Sequence, residues 1–226
     1  KEFGEIITGG TPSTQIKHYW NGTIPWVTPT DISDKKEIYH TEREITLMGL
    51  NVIRKLTNNS VLVTCIASIG KNVILKNEGA CNQQINAIIP NKKYNADFLY
   101  YLFENNKQFL LSNAGITATN IISKKDFTEL SFLVPNSKEE QAAIAQVLSD
   151  TDSLIESLDK LIEKKKNIKQ GTMQQLLSGK KRLLGFSGDW EEKTIRDFFF
   201  LSAGQTKTKY IQESGKYIIM DMGAVS

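Results

Sequence analysis

The stretch from Ser137 to Ser178 constrains this chain more than any other. Ile144, Val147, Leu148, Leu154, Ile155, Leu158, Leu161, Ile162 and Ile168 recur at three-four spacing, the period of a helix that buries one stripe. Read as heptads, Ile144, Thr151, Leu158 and Lys165 hold one seam position, and Val147, Leu154, Leu161 and Ile168 hold the other. Pro135 lies before the start, Ser137 is a natural N-cap, and Glu140 three places on completes an S-x-x-E capping box. About 40 residues at the usual rise give a helix of roughly 60 Å. Such a helix is not stable alone in water, so its apolar stripe has to meet another helix. Gly171 is the weak point, where a bend or division is expected. Thr151 and Lys165 have two readings: they fix the register of the seam, or they lie at its frayed margin.

The composition is that of a globular chain: 226 residues, 40% hydrophobic and 23% charged, with a net charge of +3. That length suits one domain with an extension, or two small domains. No apolar run approaches the roughly 20 residues needed to cross a bilayer, and the chain opens at Lys1 without an apolar leader. The expectation is a cytoplasmic protein, clipped at its N-terminus. Cys65 and Cys81 sit among apolar or small residues and read as reduced core thiols, not a disulfide or zinc site. Charge is spread evenly: residues 1–135 carry 14 basic and 12 acidic side chains, residues 136–184 carry 9 and 7, and the rest 5 and 6. The local exception is Lys164, Lys165, Lys166 and Lys169, with Lys180, Lys181 and Arg182 beyond them. They form either a solvated helix end or a contact surface.

Before the helix, Ile6 and Ile7 mark a short strand that runs into Gly9-Gly10 and a polar loop. A second strand through Ile24 and Val27, broken by Pro25 and Pro29, suggests an edge or sharp corner. His18, Tyr19, Trp20 and Trp26 read as a packed mini-core beneath a loop. Hairpin-connected strands are predicted near 60–67, 72–76 and 84–89, then a helix over 95–113 capped by Asn95, and a last strand from Leu130 to Val134. After the long helix, Ile195 to Thr206 runs parallel to Glu2 to Thr11. In both, an apolar strand reaches a Gly and a Thr-bearing loop, so the opening begins again as an incomplete duplicate. Residues matching Gly188-Asp189-Trp190 are then expected upstream of Lys1.

The chain holds no glycine-rich dinucleotide turn, Walker A, HExxH, GxSxG or N-P-P-Y-type methyltransferase motif. Gly70-Lys71 fails the phosphate-loop pattern because Cys65 stands where its first glycine belongs. Asp31 and Asp34 read as solvated turn residues. These negatives point to a binding and assembly protein.

Gly9-Gly10-Thr11-Pro12-Ser13, Tyr19-Trp20-Asn21-Gly22, Ile24-Pro25-Trp26-Val27, Ala67-Ser68-Ile69-Gly70-Lys71 and Asn82-Gln83-Gln84-Ile85 come in this order. Pro135, Glu140-Gln141-x-x-Ile144 and Leu176-Leu177-Ser178-Gly179-Lys180 follow. Together they resemble the specificity subunit of type I restriction-modification enzymes, in a half-length or truncated form. The resemblance implies an α+β fold. Residues 1–135 would be a mixed α/β target recognition domain, 136–183 one long coiled-coil-type spacer helix, and 184–226 the start of a second, incomplete recognition domain. It also implies a non-catalytic subunit that reads one half of a bipartite double-stranded DNA site. Its partners would be methyltransferase subunits, docked through the long helix, and a motor-nuclease subunit. The chain itself would need no cofactor, S-adenosylmethionine and DNA methylation belonging to the partner.

With one recognition domain and one helix, two chains are expected to pair as a homodimer through Ile144, Val147, Leu148, Thr151, Leu154, Ile155, Leu158, Leu161, Ile162, Lys165 and Ile168. For DNA contact the candidates are loop residues: Thr11, Ser13, Thr14, Gln15 and Lys17; Thr28 and Thr30; Ser68, Lys71 and Asn72; Thr117, Thr119, Asn120, Lys124 and Lys125. Lysines would meet phosphates, and Asn or Gln could pair with adenine. Each also reads as an ordinary turn or cap residue, and Asn82-Gln83-Gln84 as partners of the backbone. The competing functions are a scaffold or decoy regulator of the methyltransferase that binds no DNA, and an enzyme, which the missing motifs oppose.

Overall fold

The computed structural model describes residues 2–115 and 120–200. The chain divides into two units, residues 1–162 and 163–226. In the first unit, β1 (Gly4–Thr8), β8 (Ile85–Pro90), β5 (Ser60–Thr64), β6 (Asn72–Leu75) and β3 (Glu37–Ile38) form one sheet in that order. β1, β8, β5 and β6 run antiparallel to their neighbours, and β3 joins β6 in parallel. A second sheet places β2 (Trp20–Val27) between β4 (Glu44–Ile45) and β7 (Ala80–Cys81). Short helices α1 (Leu47–Asn51), α2 (Ala96–Asn105), α3 (Lys107–Ser112) and α4 (Lys124–Glu129) complete the domain, and α5 (Lys138–Leu177) follows.

The centre of β5, Val61-Leu62-Val63, is an unbroken apolar run because both faces of the strand are buried. Val61 and Val63 point into a core with Ile74, Ile88, Leu99, Phe103 and Leu110 under α2 to α4. Leu62 points the other way, to Val27, Val73, Leu75, Cys81 and Ile85 between the two sheets. Burial pushes the Cys65 thiol up to about 11 and that of Cys81 to about 12, so both stay protonated at neutral pH. The expected mini-core exists: Trp20 and Trp26 meet edge to face at 5.0 Å, with Ile45 and Leu50, while His18 stays exposed.

Three local expectations shift. β2 is the centre of its sheet, not an edge; Pro25 is tolerated because a register shift separates Trp20 from Ile24 and β7 pairs only at Trp26 and Val27. The helix over 95–113 begins at the Asn95 cap but divides at Asn106, whose side-chain amide bonds Leu102 O at 2.7 Å and competes with the helical ladder. Leu130–Val134 is extended but forms no ladder among the described residues. Its alternation arises because Leu130, Phe132 and Val134 pack on the core while Ser131 and Leu133 face out.

α5 starts where the sequence places it. Ser137 Oγ accepts from Glu140 N at 3.2 Å, although it is Glu139, not Glu140, whose carboxylate meets the Ser137 hydroxyl. The helix continues through Gly171, where an added Cβ would meet open space. One face of its first half docks on the domain. Buried Gln141 accepts from Asn95 N and donates to Pro135 O, both at 3.0 Å, and Ala145 enters the core. Lys36 reaches Ser149 and pairs with Asp97 at 3.0 Å, and Tyr101 donates to Asp152 at 2.6 Å. Partial burial opposes the Lys36 charge, but Asp97 outweighs it and holds its pKa above the ordinary lysine value. Gln141→Ala leaves two backbone groups unpaired at this junction. It is expected to lower stability by about 2–3 kcal/mol in a urea titration.

In the second unit, α5 ends at Leu177, and Gly179 turns the chain away with a φ of +72° that suits glycine. The Trp190 ring lies 3.5 Å from the Cβ position of Gly179 and under the Arg182 guanidinium. Ile195–Phe198 is a helical turn, α6, closed by a reciprocal Thr194–Asp197 cap, where the sequence suggested strand. The rest of the second copy, from Leu201 on, lies outside the described residues.

Candidate nucleic-acid interface

Antiparallel order brings distant loops to one end of the five-stranded sheet. Thr8 ends β1, Ile85 starts β8, Thr64 ends β5 and Asn72 starts β6, so the segments beyond them emerge side by side. Loop 9–16 is pinned by two indoles: Trp26 Nε1 donates to Gly10 O at 2.8 Å and Trp20 Nε1 to Ser13 O at 3.1 Å. Its base is locked by Gly10 N to Cys81 O at 2.8 Å. An added Cβ on Gly9 would sit 2.1 Å from Asn82 O, so only glycine allows this approach. Thr11 Oγ1 donates to Gln83 Oε1 at 2.7 Å, joining loop 9–16 to the 82–84 turn. That turn closes on itself, Asn82 Oδ1 accepting from Gln84 N at 3.0 Å.

The turn leads onward. Cys65 N donates to Gln84 O at 2.8 Å, Ala67 N to Asn120 O at 3.1 Å, and Ile122 N to Cys65 O at 2.9 Å. Loop 65–71 is therefore packed against residues 120–122, just before Lys124 and Lys125 open α4. Ala67 takes a φ of +62°, a strained value for a residue with a Cβ. Thr64 spans the same loop, its hydroxyl meeting Ser68 O and accepting from Lys71 N at 3.1 Å. On the other side Asn82 N donates to Val27 O at 2.9 Å, which sets Thr28 and Thr30 beside the turn.

The candidates thus gather, with differing freedom. Ser13, Thr14, Gln15, Lys17, Lys71, Asn120, Lys124 and Lys125 are exposed, while Thr11 and Ser68 are half-buried. Thr28 and Thr30 share a hydroxyl contact at 2.8 Å, and Thr28 also meets Asp31, so both serve their own turn. Asn72 is buried, its amide donating to Glu104 at 2.7 Å, and it presents no edge to a ligand. Thr117 and Thr119 lie outside the described residues. Two residues absent from the candidates belong here: Gln83, exposed at the centre, and Arg54, which donates to Thr8 O at 2.8 Å. Gln83 stood in a motif already quoted, but its pairing with Thr11 spans 72 residues and has no sequence signal.

The helix seam is open. Ile144 is 37% exposed, Val147 66%, Leu154 58%, Leu158 48% and Leu161 47%. Leu148, Ile155, Ile162 and Ile168 are exposed with them, as are Thr151 and Lys165. At about 100° per residue, this stripe lies roughly a third of a turn from the Gln141, Ala145, Ser149 and Asp152 face that docks on the domain.

The first unit is thus a mixed α/β head with convergent polar loops, followed by a long helix whose second apolar face is exposed among the described residues. The family described as the type I restriction modification DNA specificity domain matches residues 1–169, and the chain belongs to it. The specificity subunit of the type I restriction enzyme MjaIX of Methanocaldococcus jannaschii is 37% identical over 166 residues, covering 71% of this chain and 38% of that subunit. The specificity subunit of EcoR124I/EcoR124II from Escherichia coli is 29% identical over 182 residues, covering 75% and 44%. The chain therefore spans less than half the length of these relatives. A chain solved in work on assembly and conformational transition of the type I R-M system shares the fold. Its TM-score is 0.59 at 18% identity, over 76% of this chain and 42% of that one. The HsdS subunit of Thermoanaerobacter tengcongensis gives 0.51 at 19%, over 70% and 37%. Among the described residues, no helix is long and apolar enough to cross a membrane.

Proposed function

We propose that this chain is a non-catalytic, sequence-reading subunit that contacts one half of a bipartite DNA site through the loops at the end of its five-stranded sheet. Two chains pair through α5 and dock methyltransferase subunits, which supply S-adenosylmethionine and the methyl-transfer chemistry. A motor-nuclease subunit joins the complex for cleavage. The carrying observation is that four separate polar loops meet at one sheet end while α5 keeps a second apolar face that is exposed among the described residues. Charge supports antiparallel pairing: residues 138–163 hold 7 acidic and 2 basic side chains, whereas residues 164–182 hold 7 basic and none acidic. Head-to-tail alignment sets opposite charges side by side, and parallel alignment sets like charges together. At 40 residues, α5 is about 60 Å long and spans roughly 17 base pairs, enough to hold two heads apart.

The test is retention of duplex DNA across a salt series. Lys124→Ala with Lys125→Ala is expected to lower affinity uniformly and to reduce the slope of log K against log salt by about 1.8, roughly 0.9 per phosphate contact. No retention of duplex DNA at any salt concentration would instead support the scaffold or decoy reading.

A further inference from the structure

We propose that α1 carries an apolar wedge that enters a base step beside the reading loops; this rests on the DNA-reading function proposed above. Leu47, Met48 and Val52 are 61%, 60% and 54% exposed, and Ile16 in the neighbouring loop is 41% exposed. The opposite side of α1 is used, since Leu50 is buried with Trp20, Trp26 and Ile45. The exposed side is therefore a built projection. α1 is firmly seated: Thr46 Oγ1 accepts from Gly49 N at 3.2 Å and donates to His18 O at 2.7 Å, while Thr46 N donates to Tyr19 O at 3.0 Å. It adjoins the reading end directly, because an added Cβ on Gly10 would meet Ile53 at 3.6 Å and Arg54 bonds Thr8 O.

Charge decides the occupant. Residues 46–57 contain Arg54 and Lys55, residues 9–18 contain Lys17 and His18, and neither stretch holds an acid. Lys17, Arg54 and Lys55 form no ion pair among the described residues. An apolar knob with basic residues in the adjoining stretches fits a polyanionic duplex: the cations meet phosphates and the Leu and Met side chains part the stacked bases.

The experiment uses the full chain and a duplex that the chain itself enriches from a random pool, with 2-aminopurine placed at each position in turn. Wild type is expected to raise fluorescence several-fold at one step. Leu47→Gln with Met48→Gln is expected to abolish that rise and weaken binding about tenfold, with the salt slope unchanged because no phosphate contact is lost. Met48→Leu should keep both. If the double variant fails to fold, Leu47→Gln alone should still lower the rise. No unstacked step with wild type overturns the wedge. So does a double variant that binds and unstacks like wild type, including one that loses only the methyltransferase and so marks a protein-docking patch. A wild-type chain that enriches no duplex refutes DNA reading itself, a distinct failure that takes the wedge with it.

Discussion

Gly9→Ala is expected to abolish duplex binding and to cost about 3 kcal/mol of stability. The new methyl group would stand 2.1 Å from Asn82 O and 2.2 Å from Cys81 O. These are backbone atoms with no room to yield: Gly9 N donates to Ile85 O at 3.1 Å, Gly10 N to Cys81 O at 2.8 Å, and Asn82 N to Val27 O at 2.9 Å. Forcing them apart separates loop 9–16 from the 82–84 turn and breaks the Thr11–Gln83 contact. Gly10→Ala is the control, because its Cβ would meet only the Ile53 side chain at 3.6 Å. Urea unfolding and a gel shift on both variants read the effect. Equal behaviour of the two would mean that the loop junction does not organise the interface.

The second large effect is on assembly. Leu158→Glu with Leu161→Glu places two carboxylates per chain in the seam, at positions 48% and 47% exposed in the single chain. Dimer affinity is expected to fall by about five to six orders of magnitude, since each lost apolar contact is worth about 2 kcal/mol and four are lost per pair. Light scattering at micromolar concentration should move from about twice 25.4 kDa to one chain. The melting temperature of the recognition domain should hold, because Gln141, Ala145 and Asp152 dock on a different face of α5. A variant that keeps the double mass would clear this stripe of any part in pairing.

What sequence could reveal follows from how local each interaction is. The α5 start was legible because the Ser137 cap and the Pro135 stop act within one turn. β5, β6 and β8 were legible because β-branched runs between turn residues have few other uses. Leu130–Val134 misled because alternation reports a half-buried extended segment and says nothing of a ladder partner. The candidate loops could be picked by polarity, but their meeting depends on strand order, which pairing across 72 to 86 residues decides. Asn72 illustrates the cost: polar and loop-adjacent in sequence, it is buried against Glu104 in the fold. Gln141 is the converse, a polar residue on a helix whose two backbone partners lie 46 and 6 residues away.

The most direct test of the central claim is the pattern of methylated adenines left on genomic DNA by a complex reconstituted from this chain and the methyltransferase subunits proposed to dock on it. Two identical heads related by a twofold axis read the same half-site in opposite orientations. The expected pattern is one short sequence repeated in inverted order across a gap of constant length. Scattered methylation, or a single contiguous or asymmetric site, would contradict the pairing of two such chains through α5.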